Sequence, residues 1–185
     1  THAHFYRVIS SLVANYGAVI CPVVIPYIEN DEVKSYIDLI TNKAYACDGL
    51  ELKELRMPVS NEADEMRSML LEAIATADDA LMEKYFGGEE FTPEEIIAGL
   101  KKGVTAGEIC PVFAGVQQTG AAVPLMGDTL LQILPSAADA VCRFEDGEEK
   151  AFDENGENAL FVFKTIADPF VGKLSYFRVL SGKIK

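Results

Sequence analysis

Histidine is almost missing from this chain of 185 residues: only His2 and His4 occur, both at the N-terminus. No imidazole is available further along to activate a serine or cysteine, and two ligands on a terminus do not close a metal site. The four cysteines, Cys21, Cys47, Cys110 and Cys142, are widely spaced and form no C-x-x-C, which argues against a zinc site and against a disulfide scaffold. Lying in or beside apolar runs, they read as small core residues. Long hydrophobic runs are also missing. The longest, Ala18 to Ile28, contains Pro22 and Pro26 and falls far short of the roughly 20 residues that span a bilayer. No signal-peptide pattern is present. Basic side chains are scarce, 16 against 29 acidic ones, and the resulting net charge of −13 repels a phosphate backbone. Direct binding of naked nucleic acid is therefore excluded, and so is a membrane role. Phosphate-loop, G-x-S-x-G and H-E-x-x-H strings are all absent, so no catalytic residue and no metal ligand is assigned. The expectation is an acidic cytoplasmic protein of a reducing compartment.

What is present is enough to build a core, since 49% of the residues are hydrophobic. The charge is unevenly spread. Residues 60–91 carry nine acidic and two basic side chains, residues 143–158 carry seven and two, and residues 159–185 reverse the sign with five basic against one acidic. Segment 143–158 is polar, acidic and rich in turn residues, with little apolar surface to offset the entropy of ordering it, so it reads as a linker. A domain boundary near residue 158 follows.

Helical spacing of Phe5, Val8, Ile9, Leu12 and Val13 before Gly17 predicts a first helix over about 3–16. Cys21 to Ile28, β-branched and broken by two prolines, suggests an edge strand. Tyr36–Cys47 and Leu50–Val59 flank Asp48-Gly49 as a hairpin, with a bulge near Lys53-Glu54 to reconcile the parity of its leucines. A long helix is predicted over about 61–86, stopped by Gly87-Gly88, with Met66, Leu70, Ile74, Ala77, Leu81 and Tyr85 on one face. At 100° per residue Glu65, Glu72, Asp79 and Glu83 gather on another face, a row of solvated carboxylates. Such a row either steers a basic partner or only keeps the helix soluble. Asp78-Asp79, Glu89-Glu90 and Glu94-Glu95 suit solubility and the helix dipole better than acid–base catalysis.

Thr92-Pro93-Glu94-Glu95 is a capping box that opens a shorter helix ending at Gly103. Ile109–Ala114 has the unbroken apolar character of a buried strand, Val123–Leu134 is a helix before Pro135, and Leu160–Thr165 with Leu174–Leu180 are strands around Asp168–Gly172. No internal repeat is visible. The fold class is α/β (α+β).

Three regions carry a resemblance. Val162-Phe163-Lys164-Thr165, Asp168-Pro169-Phe170-Val171-Gly172-Lys173-Leu174, Phe177-Arg178-Val179 and Ser181-Gly182 together are similar to the opening of domain II of bacterial elongation factor G. Leu81-Met82-Glu83-Lys84-Tyr85 with Gly88-Glu89-Glu90 resembles the main helix of that family's inserted G-prime subdomain, and His4-Phe5-Tyr6-Arg7-Val8 the helix after its Asn-Lys-x-Asp motif. The likeness runs over essentially the whole chain in family order. It implies an internal piece of a translation factor. Residues 1–142 would be the C-terminal part of a P-loop GTPase core carrying the inserted subdomain at about 18–108. Residues 143–158 would be the acidic linker and 159–185 the first strands of a β-barrel domain II.

By the same resemblance the parent would be a ribosome-dependent GTPase driving translocation, with the ribosome as partner. The inserted subdomain would be a docking surface for the C-terminal domain of the ribosomal stalk protein, met through Glu65, Glu72, Asp79 and Glu83. GTP and magnesium would be needed only by the intact parent, and this chain should be inactive. Where the family has Gly-Ser-Ala in its guanine loop this chain has Gly115-Val116-Gln117, and the family's helix-opening glycine is Ala122. Those departures imply a divergent paralogue. The alternatives are a stand-alone protein-binding module and a ribosomal-protection-type paralogue without GTPase activity. A domain II cut after two strands would leave an unpaired hairpin, which either packs on the core, pairs with another molecule or is poorly ordered.

Overall fold

The computed structural model describes residues 4–136, 139, 141–143 and 147–184. His2, and hence the His2–His4 pair, lies outside them, as do residues 144–146 of the expected linker. The chain divides into two compact units, Thr1–Leu134 and Pro135–Lys185.

The first unit has an α/β fold built, among the described residues, on a mixed five-stranded sheet with five α-helices. Helix α1 (Phe5–Tyr16) ends at Gly17, whose φ of 74° is the left-handed value that glycine adopts without steric cost. A single 3₁₀ turn leads into β1 (Ile20–Glu29). β2 (Glu32–Asp38), β3 (Lys43–Asp48) and β4 (Glu51–Leu55) follow as an antiparallel meander, then α2 (Asn61–Thr76), α3 (Asp79–Phe86) and α4 (Pro93–Ala106). β5 (Cys110–Phe113) returns to the sheet and α5 (Val123–Ile133) closes the unit. Strand order is β4-β3-β2-β1-β5, with β5 parallel to β1.

β1 is an interior strand, not the edge that its prolines suggested. The carbonyl of Val23 accepts the Leu39 N–H at 2.9 Å on the β2 side, and that of Val24 accepts the Ala114 N–H at 2.8 Å on the β5 side. Alternation along the strand puts Pro22 and Pro26 on the side of Val24. Pro22 sits where the β1–β5 register slips, and Pro26 lies beyond the last β5 pairing at Val24, so neither missing N–H interrupts a ladder. The Pro26 carbonyl instead accepts the Tyr6 hydroxyl at 2.7 Å. Burial, reinforced by the charge of Glu62, pushes the Tyr6 pKa up to about 12, so this phenol remains a donor at neutral pH. β1 is buried on both faces, with α1 and α2 packed on it. Cys21 lies at its start, and its thiol is raised to about 12, first by burial and then by Cys110. Cys21 behaves as a core residue, whereas Cys110 is exposed on the edge strand β5, which is only half-buried rather than central.

The meander also differs from its sequence reading. The stretch 36–47 is two strands, because Asp38 caps a turn: its carboxylate accepts the Ile40 N–H at 2.9 Å and the Thr41 hydroxyl at 2.6 Å. Arg67 of α2 donates to the Leu39 carbonyl inside that turn. The next turn is centred on Gly49-Leu50 rather than Asp48-Gly49. Only Gly49 has positive φ there, and Asp48 pairs with Glu51. β4 pairs without a bulge and stops at Leu55, so the parity problem at Met57 falls outside the strand.

In the second unit β6 (Val141–Arg143) pairs with β7 (Glu149–Ala151), so part of the expected linker forms a ribbon. β8 (Ala159–Asp168) and β9 (Gly172–Ser181) form a long antiparallel hairpin. Asp168 turns it, accepting the N–H groups of Phe170 at 2.8 Å and Val171 at 2.9 Å, and Gly172 follows at φ 86°. Phe161, Phe163, Phe170 and Phe177 of this hairpin are exposed.

Candidate functional site

The four carboxylates singled out by helical phase do not form one row. Glu65 and Glu72 lie on α2, Asp79 and Glu83 on α3, and all four are exposed. A single helix over 61–86 would align them, but the chain leaves the helix at Ala77 and restarts. Asp78 is extended, with φ −149° and ψ 120°, and its carboxylate accepts the N–H groups of Ala80 at 3.0 Å and Leu81 at 3.2 Å. It is the N-cap of a new helix. An aspartate ahead of an Asp-Ala-Leu run is an ordinary capping signal, and it was hidden by the continuity of the apolar stripe across Ala77.

The interface between α3 and α4 is clamped twice, each time through a residue that opens a helix. Lys84 of α3 reaches both oxygens of Glu95 at 2.8 Å, while Glu95 also accepts the Thr92 N–H at 2.7 Å in the capping box that opens α4. Lys102 of α4 donates to the α3 cap Asp78 at 2.8 Å. Phe91 is buried beneath this pair, its ring centroid 5.8 Å from the Lys84 ammonium and 6.4 Å from that of Tyr85. The Lys84 bond and then the Thr92 N–H hold the Glu95 carboxyl below its ordinary range. The Lys102 bond followed by the Leu81 N–H does the same for Asp78.

This wiring has a pH signature. Both carboxyls bind protons less readily when folded, so their contribution is complete above the ordinary carboxylate pKa and fades as pH falls through the depressed folded values. Thermal midpoints measured from about pH 6 down to about pH 2 are expected to drop, with a shallower drop in the Asp78→Asn and Glu95→Gln variants. Equal slopes in all three proteins refute the clamp.

The second candidate, Gly115-Val116-Gln117, lies between β5 and α5. The Val116 N–H donates to the Ala121 carbonyl at 3.1 Å, and the Gly120 N–H donates to the Val116 carbonyl at 2.9 Å, so the loop closes on itself in a short antiparallel bridge. Gly115 is closely packed: an added Cβ would lie 3.2 Å from the Ala121 carbonyl oxygen, so the loop would have to give by a few tenths of an ångström to take one. Ala122, buried at the N-cap of α5, is held at φ 62°. For an alanine that conformation costs about 1–2 kcal/mol. The loop borders a cavity of about 560 Å³ lined chiefly by apolar groups of Leu50, Phe113, Val116, Ala122, Val123 and Met126, with Gln117 beside them. Leu50 comes from the turn between β3 and β4, where the sequence pattern places the start of a strand. The meander tip touches the loop, since a Cβ on Gly120 would meet Leu50 Cδ2 at 3.1 Å.

No family model matches the chain. A crystal structure of a protein from Thermus thermophilus is similar to it over 99% of this chain, at 28% sequence identity and a TM-score of 0.75. The chain spans 26% of that protein's length.

As a test of fit for a guanine base, the loop is mixed. The cavity walls offer apolar surface to a ring, but the Val116 N–H is already committed, and a base reader needs free backbone donors. Gly115, Val116 and Gln117 therefore supply less hydrogen-bonding capacity than their position suggests. Among the described residues no group of three His, Cys, Asp or Glu side chains could hold a metal ion. No helix among them is long and apolar enough to cross a membrane.

Proposed function

We propose that this chain is an interior section of an elongation factor G-like ribosomal translocase, and that its own task is to dock a basic protein domain, the C-terminal domain of the ribosomal stalk protein. The observation that carries this reading is the exposed acidic surface of α2 and α3. Glu65, Glu72, Asp79 and Glu83 all face solvent, in a stretch with nine acidic and two basic side chains. Lys84 of α3 is paired with Glu95, and Lys102 is paired with Asp78, the N-cap of α3, with Asp79 also in its field. A surface so arranged raises the encounter rate with a cationic partner and loses that advantage in salt. The similarity over nearly the full chain to about a quarter of a longer protein agrees with a section of a longer protein. In this reading GTP hydrolysis, magnesium and the cytoplasmic ribosome belong to the intact parent.

Titrating the chain with the stalk C-terminal domain at about 20 mM and about 300 mM salt is expected to show binding that weakens at least severalfold at the higher concentration. No binding at low salt defeats the docking reading. GDP added to the same chain is expected to produce no binding heat.

One observation favours a second reading, a ribosomal-protection-type paralogue or binding module without GTPase activity: the committed Val116 N–H in the loop that would otherwise face guanine. Ribosome-stimulated GTP hydrolysis by the intact parent overturns that second reading.

A further inference from the structure

The loop after β5 is touched by residues from the far side of the sheet. β4 and β5 are its two edge strands, yet the β3–β4 turn reaches the loop. A Cβ on Gly120 would lie 3.1 Å from Leu50 Cδ2 and 3.6 Å from the Gly49 carbonyl carbon and oxygen, and one on Gly49 would lie 3.9 Å from the Thr119 carbonyl oxygen. The hairpin that carries this tip projects. β3 pairs with β2 over residues 43–45 but with β4 over residues 44–48, so its outer half runs past the last β2 pairing. Near the root, Lys43 bridges to Glu54 at 2.9 Å and ties the two strands together. Beneath the tip the loop folds back through the Val116 N–H bond to Ala121 and the Gly120 N–H bond to Val116. Residues 115–119 are exposed, and backbone bonds in such a place open locally without global unfolding. Ala122 next to them is held at φ 62°, a left-handed conformation that opening of the loop relieves.

We propose that the Gly49-Leu50 tip is a latch. Seated on Gly120, it keeps the loop folded on itself with the Val116 N–H turned to Ala121, and lifting of the β3–β4 hairpin releases that donor to the cavity of about 560 Å³ alongside. Leu50 is a positioning residue in this arrangement. At 68% exposure it adds little to the core of its own hairpin, and its contact is with the loop. The strain at Ala122 favours opening, so the closed form needs a contact that opposes it, and the tip supplies one. The ligand withheld is a flat ring with a hydrogen-bond acceptor on its edge, because the cavity walls are chiefly apolar and the group released is a donor. A purine base has that chemistry. The inference rests on the reading of the chain as a section of a nucleotide-dependent parent and adds its regulation: access of the base is set by the position of the β3–β4 hairpin as well as by the loop's own residues.

The test uses the whole chain, with amide exchange resolved at Val116 and Gly120 and amide shifts measured with guanosine as the probe. Leu50→Ala is expected to speed exchange of both amides about threefold or more while the urea midpoint stays that of wild type. Ala122→Gly relaxes the closed form and should slow both amides by a similar factor, roughly threefold. Leu131→Ala, which truncates a still more exposed leucine outside the cavity lining, should change neither. At millimolar guanosine the Val116 and Gln117 amides of Leu50→Ala should shift about threefold further than those of wild type, in step with the larger open fraction. Unchanged or slower exchange in Leu50→Ala overturns the latch, as does faster exchange in Ala122→Gly. A fall in the Leu50→Ala urea midpoint that accounts for all of the faster exchange makes the contact ordinary packing and overturns it too. No guanosine shift in any variant leaves the latch nothing to withhold and refutes it. The stalk titration separates the two readings: stalk binding without a Leu50 effect strikes the latch alone, and guanosine shifts that follow Leu50 without stalk binding strike the docking reading alone.

Discussion

Ile74→Ala is expected to destabilise the first unit by about 2–5 kcal/mol, a large share of the roughly 5–15 kcal/mol that holds an ordinary domain together. Ile74 has no accessible surface and sits late in α2, one turn beyond the equally buried Leu70. Its side chain is pressed against the backbone of α4 at Gly99: a Cβ there would lie 3.0 Å from Ile74 Cβ and 3.0 Å from Leu81 Cδ1 of α3. One isoleucine therefore joins three helices. Truncation removes buried methyl groups and leaves a hole that α2, fixed on β1, and α4, fixed by its capping box, cannot easily close. Urea unfolding should show a lower midpoint with an unchanged slope, and amides of α3 and α4 should exchange faster than those of β1. A loss under about 1 kcal/mol means that the helices relax into the space and that the three-helix junction is softer than its packing implies.

The second large effect concerns a glycine inside a helix. By propensity alone Gly103→Ala should stabilise α4 by about 1 kcal/mol. Packing reverses the sign. A Cβ at position 103 would stand 2.4 Å from Ile109 Cδ1 and 2.5 Å from its Cγ1, and Ile109 is buried and β-branched, with little freedom at χ1. The Gly103 carbonyl also accepts the N–H groups of Glu108 at 2.8 Å and Ile109 at 3.1 Å, which fixes the backbone on both sides of the contact. A net loss of about 1–3 kcal/mol follows. Adding Ile109→Ala removes the clashing atoms, so the double-mutant cycle should give a coupling of about 1–2 kcal/mol. A Gly103→Ala variant more stable than wild type sinks this account. Because β5 begins at Cys110, the contact also sets where the loop at Gly115–Gln117 is carried.

The places where sequence reading worked and failed divide by range. The capping box at Thr92–Glu95, the stop at Gly17 and the Asp168–Gly172 turn were all legible, and each is a device closed within about one turn of chain. Gly103 was misread as a helix end. α4 runs on to Ala106, with left-handed Gly107 beyond it, because Ile109 folds back over Gly103. The long helix over 61–86 was misread because an apolar stripe continues through Ala77 while the backbone stops there. Of the candidate site, the identity and exposure of Glu65, Glu72, Asp79 and Glu83 were readable. Their separation onto two helices, and the arrival of Leu50 beside the loop at Gly115–Gln117, were not.

By itself the sequence determined the fold class, the acidic character of α2 and α3, and the local starts and stops of most elements. Composition and hydrogen bonds between near neighbours suffice for those. Only the tertiary structure decided that proline-bearing β1 is interior, that β5 is a half-buried edge, that the Val116 N–H is spent on Ala121, and that Lys84 and Lys102 bridge α3 and α4. Each of these depends on which distant residue arrives opposite a given donor, acceptor or charge, and that pairing is fixed by packing the whole sheet and its helices rather than by any window of sequence.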